Sequence, residues 1–253
     1  MQIDLNCDVG EAAGHDAELM PLVSSANIAC GGHAGDDETM RATIALARRH
    51  GVAIGAHPGH ADRARAGRHP LPIGPAAAAD LVLGQIARLA AVAGGGLHHV
   101  KLHGALYHQA ETDAALAAAI GAALGRAHPR LVVYAPAGGR FAAAARGCGL
   151  AVADEAFLDR AYADAHTLVP RDQTGALVTD PAAAAARAVA LVRTGRVRSA
   201  DGRDLVIRAA TLCLHGDGPD PVALAHAVRQ SLAASGIEVT AAVGRRAADS
   251  PLP

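Results

Sequence analysis

The chain has 253 residues, with 23 Lys and Arg against 24 Asp and Glu, a net charge of −1 and a pI near 6.9. That balance gives no electrostatic case for nucleic acid, and no basic amphipathic segment suits a membrane surface. Hydrophobic residues make up 51 %, yet there are only two Phe, three Tyr and no Trp, so a core must be packed from Ala, Val, Leu and Ile.

The start, Met1-Gln2-Ile3-Asp4-Leu5, lacks the charged segment and apolar stretch of a signal peptide. No uninterrupted apolar run approaches the roughly 18 residues a membrane helix needs. The cytoplasm is therefore the expected compartment, with no membrane association. Strands are predicted at 2–7, 24–30, 51–56, 97–102, 131–135, 150–155 and 205–214. Helices are announced between them. Asp36 or Asp37 precedes a stripe of Met40, Ile44 and Ala47 that Gly51 ends. Pro75 opens a helix that Gly94 stops, and Leu116, Ile120 and Leu124 recur at helical spacing. Asp180-Pro181 and Asp220-Pro221 each read as an N-cap followed by Pro at the first helical position. Strict alternation of strand and helix means a parallel sheet with helices outside it. Seven strands favour an incomplete or distorted (β/α) barrel, with a doubly wound open sheet as the alternative. No linker divides the chain, so residues 1–241 form one domain and the polar, Pro-ended stretch 242–253 is expected to fray. Cys7, Cys30, Cys148 and Cys213 show no CxxC pairing, and the first, second and fourth read as reduced core thiols.

Both barrel and open sheet place ligand chemistry at the carboxyl ends of the strands, and the polar residues gather there. Asn6, Asp8 and Glu11 follow the first strand; Asn27, His33 and Asp36 the second; His57, His60, Asp62 and Arg68 the third. Lys101, His103 and Tyr107 follow the fourth, Glu155, Asp159, Arg160 and Tyr162 the sixth, and His215 with Asp217 the seventh. Lys101 is the only lysine among the 23 basic residues, and Asn6 and Asn27 are the only asparagines. Where a plain cation serves, this chain uses Arg, so a lysine that stays marks a need for a compact point charge or a removable proton.

Asp8 reads either as a general base or as a turn cap, and Arg68 either as a bidentate grip on a carboxylate or as solvated surface charge. Gly31-Gly32 and Gly216 permit close backbone approach to a ligand. Neither a GxxxxGK[ST] loop nor a strand-linked GxGxxG occurs, so no nucleotide pocket of these kinds is present. Histidine and carboxylate are also metal ligands. Without an HxH or HExxH spacing, only a site assembled from separate strands remains open, and no tightly bound metal is expected.

Asp4 to Glu11, Ser25 to Asp36, Gly55-Ala56-His57-Pro58-Gly59, Val100 to Tyr107 and Cys213-Leu214-His215-Gly216-Asp217 together resemble the LamB/YcsF family, from residue 4 to about 240. The resemblance implies a seven-stranded parallel (β/α) barrel of the glycoside hydrolase/deacetylase type. It also implies the A-subunit of a prokaryotic 5-oxoprolinase, which with subunits B and C converts 5-oxo-L-proline to L-glutamate with hydrolysis of ATP. ATP and its magnesium would then be handled mainly by the partners. Under this reading Asp8, Lys101, His103 and His33 are the catalytic candidates, with Asp8 first as base. Asn6, Glu11, Asn27, His57, Arg68, Tyr107, His215 and Asp217 would bind substrate. Leu102 stands where the family has Pro, His108 where it has Asn, and Arg65 to His69 is a degraded Gly-Phe-Gly-Arg-Arg. The alternatives are a metal-dependent deacetylase or amidohydrolase on the same barrel and a non-catalytic binding subunit. Homo-oligomerisation is left open.

Overall fold

Successive side chains of a strand point to opposite faces, and in this chain the two faces carry different chemistry. The computed structural model describes residues 1–244 and Arg246. Seven parallel strands, β1 (Gln2–Val9), β2 (Ser25–Ala29), β3 (Ala53–His57), β4 (His99–Lys101), β5 (Val132–Pro136), β6 (Ala151–Phe157) and β7 (Thr211–His215), pair in chain order. β7 pairs with β6 on one side and with β1 on the other, from Asp4↔Thr211 to Asp8↔His215. That second ladder closes the barrel and removes the open-sheet alternative.

The helices follow their predicted caps. Asp36 accepts from Thr39 N at the start of α1 (Asp37–His50), and left-handed Gly51 ends it. Asp180 and Asp220 cap α6 (Pro181–Thr194) and α7 (Pro221–Ala234), each with Pro in the first turn. Between them lie α2 (Pro75–Ala93), α3 (Gly104–Thr112), α4 (Ala114–Ala127) and α5 (Arg140–Gly147). By length and composition alone, α2 is apolar enough to cross a membrane. Its Val82, Ile86 and Leu89 are instead buried in the core around the barrel, and Asp80, Gln85 and Arg88 interrupt its apolar run.

The seventh predicted strand, 205–214, is two elements. Asp204–Val206 pairs antiparallel with Arg196–Arg198 outside the barrel, and the barrel strand begins only at Thr211. One β-rich run serves two strands with different neighbours, and composition alone does not reveal where pairing changes. In the stretch expected to fray, Ala242 is buried against Val132, Tyr134 and Ala153; residues 245 and 247–253 lie outside the described residues.

Leu5, Cys7, Ile28, Val100, Val152 and Leu212 belong to the apolar core on the helix side of the strands. The barrel interior, which such folds usually fill with branched apolar side chains, instead carries a polar column from Asp4 to Lys101 beside the small apolar cluster of Val132, Tyr134 and Ala153. At its lower end the buried Asp4 carboxylate accepts hydrogen bonds from Ser24 Oγ (2.6 Å), Ser25 Oγ (2.8 Å) and Thr211 Oγ1 (2.6 Å). Above it Asn27 Nδ2 donates to Asn6 Oδ1 (2.7 Å), and His99 Nε2 donates to Asn27 Oδ1 (2.8 Å). Gly55 makes room for His99, because a Cβ there would lie 2.1 Å from the ring. A buried polar layer is tolerable only when its members are paired. Here the pairing fixes the orientation of the layer above, where the rim residues converge.

Candidate active site

Lys101 ends β4 with 2 % of its surface exposed. Its Nζ stands 3.0 Å from Asp8 Oδ1, 3.0 Å from Glu155 Oε1, 2.9 Å from Cys213 Sγ and 3.3 Å from Asn6 Oδ1. Burial works against the ammonium, but Asp8, Cys213 and Glu155 outweigh it and hold its pKa well above the ordinary lysine value. It is a fixed cation, and its four acceptors come from β1, β7 and β6, reaching it across the interior. A planar guanidinium cannot converge on one point in this way, which accounts for the only lysine in the chain.

Asp8 accepts from Asn27 Nδ2 at 2.8 Å, and its Oδ2 lies 3.2 Å from His57 Nε2 and 3.7 Å from His215 Nε2. Burial pushes its carboxyl up, yet His57 and Lys101 prevail and hold it well below the usual carboxylate range. A carboxylate held there is a weak base. Its geometry is that of an organiser tying Lys101, Asn27 and His57 together.

Three histidines, His57 at the end of β3 and His33 and His103 from the loops after β2 and β4, meet beside Asp8. Glu11 Oε1 lies 3.0 Å from His33 Nε2, 3.3 Å from His103 Nδ1 and 3.8 Å from His57 Nε2. The His33 and His103 rings stack at 3.6 Å. Gly67 lies so near both that a Cβ would come within 2.7 Å of His33 Cβ. His57 Nδ1 faces the Lys101 carbonyl at 2.9 Å and His103 Nε2 the Ala66 carbonyl at 2.8 Å. Histidines that stand singly in the sequence are thus one cluster in space. A second group with ligand chemistry, Asp8, Cys213 and His215, already has the Lys101 ammonium among its atoms.

The LamB/YcsF family profile matches residues 3–247. This chain belongs to the LamB/YcsF family. It is 50 % identical to the 5-oxoprolinase A-subunit of Heliobacterium modesticaldum, over 97 % of this chain and 100 % of that one. It is 48 % identical to the 5-oxoprolinase A-subunit of Bordetella parapertussis, over 95 % and 98 %. The solved lactam utilization protein of Thermus thermophilus superposes with a TM-score of 0.89 at 43 % identity, covering 95 % of this chain and 100 % of that one. A peptidoglycan deacetylase of Bacillus subtilis shares the barrel at a TM-score of 0.51 and 11 % identity, over 94 % of this chain and 86 % of that one. At that distance the likeness is one of fold.

In this LamB/YcsF barrel the expected residues Asp8, Glu11, His33, His57, Lys101, His103, Tyr107 and His215 gather at one end, whereas Asn6 and Asn27, expected to bind substrate, are fully buried in the layer beneath and hold Glu155, Asp8 and Lys101 instead. A cleft of about 430 Å³ opens over Asp8, Lys101, His57, His103 and His215. Arg68 lines it but is committed to Asp217, which also takes both terminal nitrogens of Arg171, at 2.8 and 2.9 Å. Asp36 is a helix cap and His60 hydrogen-bonds Gln109.

Four residues emerge that the sequence had grouped with the rim or passed over. Glu155 holds Lys101 and accepts from Tyr107 OH at 2.8 Å. Asp159 takes His215 Nδ1 at 2.8 and 3.0 Å and His215 N at 2.8 Å. Burial lowers the His215 pKa, but Asp159 outweighs it and the net shift is upward. Arg160 and Arg171 line the cleft from the loop between β6 and α6. Arg160 is 6 % exposed, and its Nε has no partner among the described residues. The alternation of β6 signals Glu155; nothing local signals Arg171.

Proposed function

We propose that this chain is the ring-opening subunit of an ATP-hydrolysing 5-oxoprolinase, acting with subunits B and C to convert 5-oxo-L-proline to L-glutamate. The reading is carried by the Lys101 ammonium fixed beneath a cleft that three arginines border, a site for an anionic substrate; full-length likeness to chains named for that activity supports it. A lactam carbon is a poor electrophile with a poor leaving group. Phosphorylation of its oxygen by ATP and magnesium, the task assigned to the partners, makes the carbon attackable by water. Arg160, whose Nε has no partner among the described residues, then receives the carboxylate or phosphoryl charge. Lys101 stabilises the charge that grows on oxygen as water adds.

His215, rather than Asp8, suits the base. Its Nδ1–H donates to Asp159, which leaves the Nε2 lone pair for the proton of water. A carbon–oxygen bond forms as His215 takes that proton. The carbon–nitrogen bond then breaks as the ring nitrogen receives one. The acyl phosphate left behind yields L-glutamate and phosphate on reaction with a second water.

The test is turnover. The purified chain alone should neither hydrolyse ATP nor open 5-oxo-L-proline, whereas mixing with B and C should release ADP and glutamate together. Stimulated ATP turnover by the single chain would contradict the division of labour. Absence of turnover in the reconstituted trio, with activity on N-acetylated sugars, would favour the deacetylase reading.

Asp159→Asn provides a sharper check on the base. The base form of His215 appears only as pH rises past its raised pKa, so the native acid limb of kcat/KM lies above the ordinary imidazole value of 6.5. In the Asp159→Asn variant that limb should move to lower pH, with kcat down on the order of 10²-fold. The same pairing adds stability fully present below the unfolded value and lost as pH rises through the folded one. An unmoved limb would take His215 out of the base role.

A further inference from the structure

We propose that Glu11, His33, His57 and His103 together hold one divalent first-row transition-metal ion, of the zinc class. The inference goes beyond the ring-opening role and does not depend on it. The four donor atoms lie within 4.8 Å of one another. Four ligands about 2.0–2.1 Å from a tetrahedral ion stand about 3.3 Å apart. The separations here bracket that value: 2.9 Å between His57 Nε2 and His103 Nδ1, and 3.0, 3.3 and 3.8 Å from Glu11 Oε1 to His33, His103 and His57.

The ring protons give the independent observation. A backbone carbonyl can only accept, so His57 Nδ1 and His103 Nε2, facing the carbonyls of Lys101 and Ala66, both carry hydrogen. In neutral rings the other two nitrogens are lone pairs, and they point at each other across 2.9 Å. Two lone pairs at that distance need a cation between or beside them. Ligating histidines characteristically donate their second nitrogen to a carbonyl in this manner, which fixes the tautomer and aims the ring. His33 Nε2 faces the Glu11 carboxylate at 3.0 Å and so carries the proton when no ion is bound, while Nδ1 has no partner among the described residues and is open to take that proton when Nε2 ligates an ion.

The donor set selects the ion. Three imidazoles and one carboxylate suit zinc or cobalt, whereas magnesium and calcium take mostly oxygen. The neighbouring Asp8, Cys213 and His215 are not the site, because Lys101 Nζ already sits 3.0 Å from Asp8 and 2.9 Å from Cys213. The sequence led to an expectation of no tight metal because the histidines follow separate strands. Parallel pairing of β1, β2, β3 and β4 side by side removes that separation.

Chelator-stripped full-length chain should be titrated with cobalt(II). Visible bands of the intensity typical of four-coordinate cobalt should grow and saturate at one equivalent, zinc should bleach them, and zinc should raise the Tm. Freshly purified chain should carry about one zinc-class ion by elemental analysis. Glu11→Gln and His33→Ala should each weaken cobalt binding by at least about 10–100-fold, the range that outer-shell changes alone reach. Glu11 lies on a turn, so its variant remains informative if His33→Ala does not fold. Native chain that binds neither ion overturns the proposal and leaves a proton as the shared cation. Binding lost in Cys213→Ser but kept in Glu11→Gln overturns it as well. None of these readouts uses ATP turnover, so failure of the metal site and failure of the oxoprolinase reading are separable.

Discussion

Replacing Lys101 with arginine is expected to lower 5-oxo-L-proline-dependent turnover of the reconstituted complex by about 10²–10³-fold or more, the scale on which loss of one charge-stabilising donor is felt. The ammonium meets four acceptors within 2.9–3.3 Å on the floor of the cleft, where Lys101 keeps 2 % of its surface exposed. Guanidinium is larger and planar, so it can satisfy two of those acceptors only by pushing the others away. Overpacking of that kind costs about 1–3 kcal/mol, a tolerable loss for a barrel of this size. Urea unfolding should therefore remain cooperative while turnover collapses. Lys101→Met is the companion variant. It keeps the volume but leaves Asp8 and Glu155 without their cation, and removing one partner of a buried ion pair costs about 3–5 kcal/mol. Methionine should thus be worse for stability than arginine. Normal turnover in the arginine variant would refute the reasoning from a lone lysine.

The rank of what the sequence reveals follows from the physics of the two faces. Strand order, helix caps and the clustering of polar residues at strand ends are local or periodic properties, and they read directly. Asp180-Pro181 and Asp220-Pro221 announce helices because capping involves only adjacent residues. Pairing across the barrel is different. Glu155 beside Lys101 and Asp159 beside His215 are separated by 54 and 56 residues; the second pair meets through the β6–β7 ladder and the first through the curvature that brings β4 and β6 to face one interior. Asp154 and Glu155 are neighbours in sequence with opposite fates: the former pairs with Arg146 outside, the latter holds the central ammonium inside. Strand alternation would have separated them, given that Phe157 shares the parity of Glu155 and faces His215. Arg68 and Asp217 were legible as polar loop residues but not as each other's partners, since their loops come from different strands.

Asp8→Asn is expected to lower both stability and activity, and its pH behaviour separates an organiser from a base. The substitution takes one of the two carboxylates from Lys101, so the loss should approach the lower end of the roughly 3–5 kcal/mol for stranding a buried charge, because Glu155 remains. The native carboxyl is held well below its ordinary range despite burial, with His57 Nε2 3.2 Å and Lys101 Nζ 3.0 Å away. A depressed acid contributes stability above its unfolded value of about 3.9 and loses it as pH falls through the folded one. Urea unfolding should therefore show the gap between native and variant widest near neutral pH and closing in strong acid. Turnover should fall by about 10²–10⁴-fold, as for loss of a well-placed acid–base or orienting group. The acid limb of kcat/KM should nevertheless survive. It should move slightly to lower pH, because the Asp8 charge 3.7 Å away is one of the influences that raise His215. A base that is itself removed leaves no limb behind. Residual turnover that is flat across the acid range would return the base role to Asp8 and leave His215 as a binding group.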